Sequence, residues 1–342
     1  MIPSSDSINI DKLGKGGTIT TDTCNAAQKV RRLLVEYING TVNEQDCMQH
    51  LRNVWINGVA IAVNKYMLEF LEESLDDISS FLRVSPDLAQ VIRAFHKEFS
   101  LTANYPKGHG EKFKSWMQKR YPKEFLMHAE RATGSRQDII TMGAGPVYWN
   151  RRFSVEFLDD VLRVKGASNI LQENLFTVLS SVEMIASSRF FSILHLAICL
   201  PFRWLTGNTH KLAHHGWGAR SMGRAVDLIH GACKEIVDDV SLIHDESFML
   251  HIFDNLRSEL PEFDAYLKYE FENKKTEYVE ASSTMAVPLK ELIKEIFRPV
   301  DEDNRDSTAM LENIAGIGIA ALIAELEDEK KATYKYLSIS GT

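Results

Sequence analysis

The chain has 342 residues, 44% of them apolar and 25% charged, which exceeds the usual single-domain size and predicts two lobes around ample core material. Its formal net charge of −8 is unevenly spread: residues 100–224 hold seventeen Lys/Arg against nine Asp/Glu, while the remainder holds twenty-two against thirty-eight. Four distant cysteines (Cys24, Cys47, Cys199, Cys233) exclude a disulfide framework and a CxxC site, and the N-terminal sequence MIPSSDSINIDKLGKGG lacks the apolar core of a signal peptide.

Residues 1–23 are rich in Ser, Thr, Gly and Asp and read as a flexible N-terminal arm. From Cys24 the pattern turns helical, with Val30, Leu33, Leu34, Tyr37 and Ile38 at helical spacing. Thr41-Val42-Asn43-Glu44 has the form of a capping box and predicts a helix through Trp55, with a break at Gly58 before a leucine-rich helix ending near Leu82. Ser85-Pro86-Asp87 starts the next helix, which should run to about Phe99.

Residues 101–152 differ in character. Tyr105-Pro106-Lys107-Gly108-His109-Gly110, Tyr121-Pro122, Gly134-Ser135 and Gly143-Ala144-Gly145-Pro146 predict broken helices joined by loops. Beyond them, Phe157, Val161 and Leu162 mark a short helix. Ser168 can cap a long one with a stripe of Leu171, Leu175, Leu179, Val182, Ile185 and Ala186, ended by Pro201. The most apolar run, 190–205, is interrupted by His195, Pro201 and Arg203 and is short for a membrane span. Residues 206–218 read as a loop, and 220–240, 246–257, 260–273, 287–298 and 306–328 each carry helical periodicity. No alternating β-branched run is long enough for a sheet.

The expected fold is therefore all-α: a two-lobed helical protein with flexible N- and C-terminal arms. Its predicted parts are an arm over 1–23, an N-terminal helical lobe over 24–152 with the basic, Gly/Pro-broken segment 101–152, a C-terminal helical lobe over 153–329, and a tail over 330–342.

The basic middle carries the leading functional expectation. Lys107, Lys112, Lys114, Lys119, Arg120 and Lys123 are interleaved with Tyr105, Phe113, Trp116 and Tyr121, and Arg131, Arg136, Arg151 and Arg152 follow beside Tyr148 and Trp149. Cations neutralise phosphates and release counterions, while aromatic faces stack unpaired bases at about 1–3 kcal/mol each. Arg203, Lys211, Arg220 and Arg224 extend the positive charge after the long helix, around the glycine-rich turn Gly216-Trp217-Gly218. Together they predict a basic, aromatic cleft between the lobes. The competing reading is a solvated basic face whose aromatic residues belong to the core.

Two further clusters suggest metal chemistry. His210, His214 and His215 form an HxxxHH spacing that resembles one histidine box of the membrane di-iron desaturases and hydroxylases, in which His210 and His214 would share a helix face. Ser241-Leu242-Ile243-His244-Asp245 resembles the approach to the aspartate-rich motif of helical prenyl diphosphate synthases, although the DDxxD cluster that would hold Mg²⁺ is missing; the His244-Asp245 pair is also similar to the dyad of HD-type phosphohydrolases. The plainer reading makes Asp245 the cap of the following helix. A last segment, Gly316-Ile317-Gly318-Ile319-Ala320, is a small-residue helix suited to close packing within the chain or against a neighbour.

These features predict a non-enzymatic, self-assembling protein that binds single-stranded nucleic acid, RNA in preference, in the cytoplasm or nucleus. It would use no cofactor, associate with itself through its arms and not insert in a membrane. The plan is similar to that of helical nucleocapsid and filament coat proteins of RNA viruses. The alternatives are a helical metal- or diphosphate-dependent enzyme using His210, His214, His215, His244 and Asp245, and an α-helical interaction scaffold.

Overall fold

The computed structural model describes residues 18–21, 43–46, 48–74, 88–100, 108–124, 126–127, 138–162, 170–199, 219–248, 252, 255, 296–297 and 305–339. The body they form is all-helical. Its helices are α1 (Met48–Ser74), α2 (Leu88–Phe99), α3 (Gly110–Arg120), α4 (Asp138–Leu162), α5 (Ile170–Leu179), α6 (Val182–Leu194), α7 (Ala219–Asp238) and α8 (Arg305–Ile339). A π-helical turn, His195–Cys199, continues α6, and a 3₁₀ turn, Val240–His244, follows α7.

Two four-residue strands accompany the helices. β1 (Thr18–Thr21) pairs in parallel with β2 (Asn43–Asp46), Thr18 opposite Asn43. This corrects two expectations. Part of the predicted N-terminal arm is paired, and Asn43 and Glu44 of the expected capping box lie in a strand, so α1 opens only at Met48. β1 is β-branched throughout but only four residues long, and β2 (Asn-Glu-Gln-Asp) holds no β-branched residue, which is why no strand is evident from the sequence.

Burial decides the helix boundaries that local propensity misplaces. α1 runs unbroken through Gly58 because Trp55, Ile56, Val59, Val63 and Met67 fill one buried face across that position. α4 likewise runs through Gly143-Ala144-Gly145-Pro146, where breaks were expected. Ala144, Val147 and Tyr148 are buried there, and a β-carbon at Gly143 would fall 2.3 Å from Ile92 Cγ2 of α2. The glycine is a contact point between helices, and the predicted lobe boundary after residue 152 lies inside α4. The predicted long helix divides instead at Ser180-Ser181, where Ser181 caps α6 by accepting the Met184 N–H at 3.2 Å. α8 continues to Ile339, so most of the expected tail is helical.

The buried residues form one continuous apolar cluster drawn from α1 to α8, with Trp55, Phe95, Phe113, Phe190 and Phe191 among its largest fully buried side chains. Each such side chain contributes about 1.5–3 kcal/mol on leaving water. α8 packs along α1, α6 and α7, and α4 packs on α2, α5 and α6. Two windows, Val182–Cys199 and Thr308–Glu327, are long and apolar enough to cross a membrane by length and composition; the first is largely buried in the protein. Core helices meet the same criterion.

Residues 24–40, 206–218 and 260–273, with their expected helices and loop, lie outside the described residues, as does 287–298 apart from Ile296 and Phe297.

Candidate nucleic-acid interface

α3 carries the densest part of the basic segment, and two contacts fix how it sits. At its start, His109 and its flanking glycines lie against the end of α2. The His109 N–H donates to the Glu98 carbonyl at 2.7 Å, and a β-carbon at Gly110 would fall 2.2 Å from the Ser100 carbonyl oxygen, so only glycine allows this approach. The His109 ring nitrogen Nδ1 lies 2.7 Å from the buried Glu98 carboxylate, which also accepts the Gln172 side-chain N–H at 2.8 Å. The Gly-His-Gly sequence of residues 108–110 is thus the joint between α2, α3 and α5.

Beyond that joint the chain runs antiparallel to α4 in a ladder of polar contacts spaced one helical turn apart. Asp160 Oδ2 accepts the Trp116 indole N–H at 2.9 Å and an Arg120 N–H at 3.1 Å. Arg120 also pairs with Glu156, which accepts the Tyr121 hydroxyl. That hydrogen bond, with burial, holds the Tyr121 phenol above its ordinary value. Arg152 pairs with Glu124 at 3.2 Å. At the far end the buried Asn150 side chain donates to the Met127 carbonyl at 2.7 Å and accepts the Met127 N–H at 3.1 Å.

The aromatic residues of the segment point into this packing. Phe113 is buried, Trp116 and Tyr121 are half-buried, and the rings of Phe113, Trp116, Tyr121, Phe153 and Phe157 contact one another at centroid distances of 4.8–6.3 Å along with Phe99. Trp149 is half-buried against the main core. The Arg120 guanidinium lies 5.3 Å above the Trp116 ring, Arg151 lies 4.0 Å above Tyr148, and Arg152 lies 4.3 Å above Phe153. Arg151 also donates to the Tyr148 carbonyl.

The lysines behave differently. Lys112, Lys119 and Lys123 are exposed and Lys114 is half-buried; none of the four forms an ion pair with another described residue. Lys112 and Lys119 are seven residues apart and share a face, since 3.6 residues make a turn. Among the described residues the predicted site is therefore sorted: Lys112, Lys119 and Lys123 are exposed, Arg120 and the α3 rings meet α4, and Arg151 and Arg152 lie over rings of α4 itself. Arg220 and Arg224 lie in the first turns of α7, with their side chains outside the described set. Lys107, Arg131, Arg136, Arg203 and Lys211 are outside the described residues.

The ladder is the feature that counting charge missed. Its signal is phase: Trp116, Arg120 and Glu124 recur every four residues, as do Arg152, Glu156 and Asp160.

Of the metal candidates, His244 and Asp245 are described. His244 Nε2 lies 3.4 Å from Glu312 of α8. Asp245 accepts the Ser247 and Phe248 N–H groups at 2.7 and 3.1 Å, as a helix cap does. Among the described residues no three His, Cys, Asp or Glu side chains converge on a point that could hold a metal. His210, His214 and His215 are outside the described residues. A small apolar cavity lies between the π-helical turn, α7 and α8, bordered by Ile198, Ile229, Cys233, Ile243 and Ile319; burial there pushes the Cys233 thiol up to about 12.

Comparisons with protein-family models, with curated proteins and with solved structures find no match to this chain.

Proposed function

We propose that this chain is a non-enzymatic protein that binds the phosphate backbone of single-stranded nucleic acid through the outer face of α3. One observation carries the reading: Lys112 and Lys119 project from one exposed helix face, with Lys123 exposed in the turn beyond, and none is neutralised by a described neighbour. Ammonium groups so placed act as point charges on phosphates without reading sequence.

The packing of Trp116, Tyr121 and Phe113 changes the expected mode. With these rings turned inward, binding is electrostatic, indifferent to base identity and made without stacking. Three phosphate contacts give a slope of log affinity against log salt of about −2 on a single strand. So few contacts favour several copies bound side by side. Val54, Ile61 and Leu68, exposed at seven-residue intervals along α1, supply an apolar strip for contact between copies. The buried thiols Cys199 and Cys233 suit the reducing cytoplasm or nucleus.

The test is fluorescence anisotropy of labelled oligouridylate and oligodeoxythymidylate titrated with the full chain. Binding that weakens with added salt, and that is lost when Lys112, Lys119 and Lys123 are all replaced by Gln, supports the reading. No binding at about 50 mM salt rejects it.

A further inference from the structure

Asp160 of α4 meets two donors from α3 at one atom. A single carboxylate oxygen accepts both the Trp116 indole N–H at 2.9 Å and an Arg120 guanidinium N–H at 3.1 Å. Two donors of this kind converging on one oxygen suit a phosphate oxygen as well as a carboxylate. The donor geometry is fixed in advance. The Trp116 ring is held by Phe113, Phe157 and Tyr121 at centroid distances of 6.3, 5.6 and 5.9 Å, and Arg120 lies across its face.

The contact is also open to solvent. The Arg120 side chain is 48% exposed and that of Asp160 44%. Exposed ion pairs are weakly held and screened by salt, so an incoming polyanion can compete for these donors. The position matters too, because Trp116 follows Lys112 by four residues and precedes Lys119 by three.

We propose that Trp116 Nε1–H and Arg120 form a phosphate subsite in the lysine row of α3, kept closed by Asp160 as an internal stand-in for the ligand. The proposal rests on the reading of α3 as a phosphate-binding face and adds its regulation: the acidic end of α4 lowers the affinity of the wild-type chain. Opening the subsite requires Asp160 to leave, while Glu156 keeps Arg120 beside the Trp116 ring.

The experiment measures the dissociation constant of fluorescein-labelled oligouridylate for the full chain at about 50 mM salt. Asp160→Asn is expected to tighten binding about fivefold, because the neutral amide oxygen holds the two donors less strongly than a carboxylate and yields them to a phosphate. Glu111→Gln, in the exposed first turn of α3, removes the same charge without uncovering a donor, and should tighten binding by less than about twofold. Trp116→Phe in the Asp160→Asn background keeps the ring stack, deletes the indole N–H and should take back most of the gain. Asp160→Ser provides a second variant with the same expectation if Asp160→Asn fails to fold by circular dichroism.

Equal tightening by Glu111→Gln and Asp160→Asn would overturn the subsite, since bulk charge would then explain both. Unchanged binding by Asp160→Asn alongside a wild type that binds would overturn the subsite and keep the lysine face. A wild type that fails to bind, with an Asp160→Asn chain that binds, would keep the subsite and reject the reading of the wild-type face.

Discussion

Asn150 satisfies both backbone polar groups of Met127, donating to its carbonyl at 2.7 Å and accepting from its N–H at 3.1 Å. This paired contact ties the chain beyond α3 to the middle of α4. Asn150 itself is buried. Replacing it with Ala strands a donor and an acceptor and should cost about 2–3 kcal/mol, read as a lower urea midpoint. Asp keeps only the acceptor and buries a charge, so Asn150→Asp should be at least as destabilising at pH 7. A loss near zero for both would show that solvent replaces the side chain.

Gly318 of α8 faces Phe190 of α6, and a β-carbon there would fall 2.5 Å from the Phe190 ring carbon Cζ. Phe190 is fully buried, so the ring has little room to retreat. Gly318→Ala should therefore destabilise by about 1–3 kcal/mol despite the better helix propensity of alanine. Gly316→Ala, whose β-carbon would meet only Val240 at 3.9 Å, should be neutral or stabilising. Thermal melts of the two variants check the contrast, and equal effects would contradict it.

His244 makes stability depend on pH. Burial, and then the Arg189 charge, hold its imidazole below the ordinary value, while Glu312 pulls the other way. The unfolded chain thus takes up this proton at a higher pH than the folded chain. The contribution is complete above about pH 6.5 and is lost as pH falls from there toward the lowered folded value. In His244→Gln that titration is absent. The melting temperature of wild type minus that of His244→Gln should fall between about pH 7.5 and about pH 5.5. A difference that is constant or rises on acidification would contradict this assignment.

The all-helical body was legible where apolar period and caps agree. Ser85-Pro86 foretold α2, the 220–240 period foretold α7, and Asp245 caps the segment it precedes. Local signals misled where burial opposes them. Pro146 and its neighbouring glycines read as a break, yet Ala144, Val147 and Tyr148 lie buried across them and keep α4 continuous. The apolar stripe from Leu171 to Ala186 keeps helical phase through Ser180-Ser181, so the division between α5 and α6 left little trace.

The candidate site was half legible. Its composition shows a basic, aromatic segment, and the plainer alternative, aromatic rings belonging to the core, describes Phe113, Trp116 and Tyr121 well. Which cations are engaged depends on a partner more than thirty residues away: Arg120 meets Glu156 and Asp160 only because α3 and α4 lie antiparallel. Each row's four-residue phase is visible locally, but nothing in it says that the two rows meet, whereas the outward direction of Lys112 and Lys119 follows from helix phase alone.

The most direct test of the central claim is the salt dependence of oligouridylate binding, compared between the wild type and the chain with Lys112, Lys119 and Lys123 replaced by Gln. The account predicts wild-type binding at about 50 mM salt, a slope of log affinity against log salt of about −2, and loss of binding in the triple variant with its fold retained. A wild type that does not bind, or a triple variant that binds as tightly with the same slope, would contradict it.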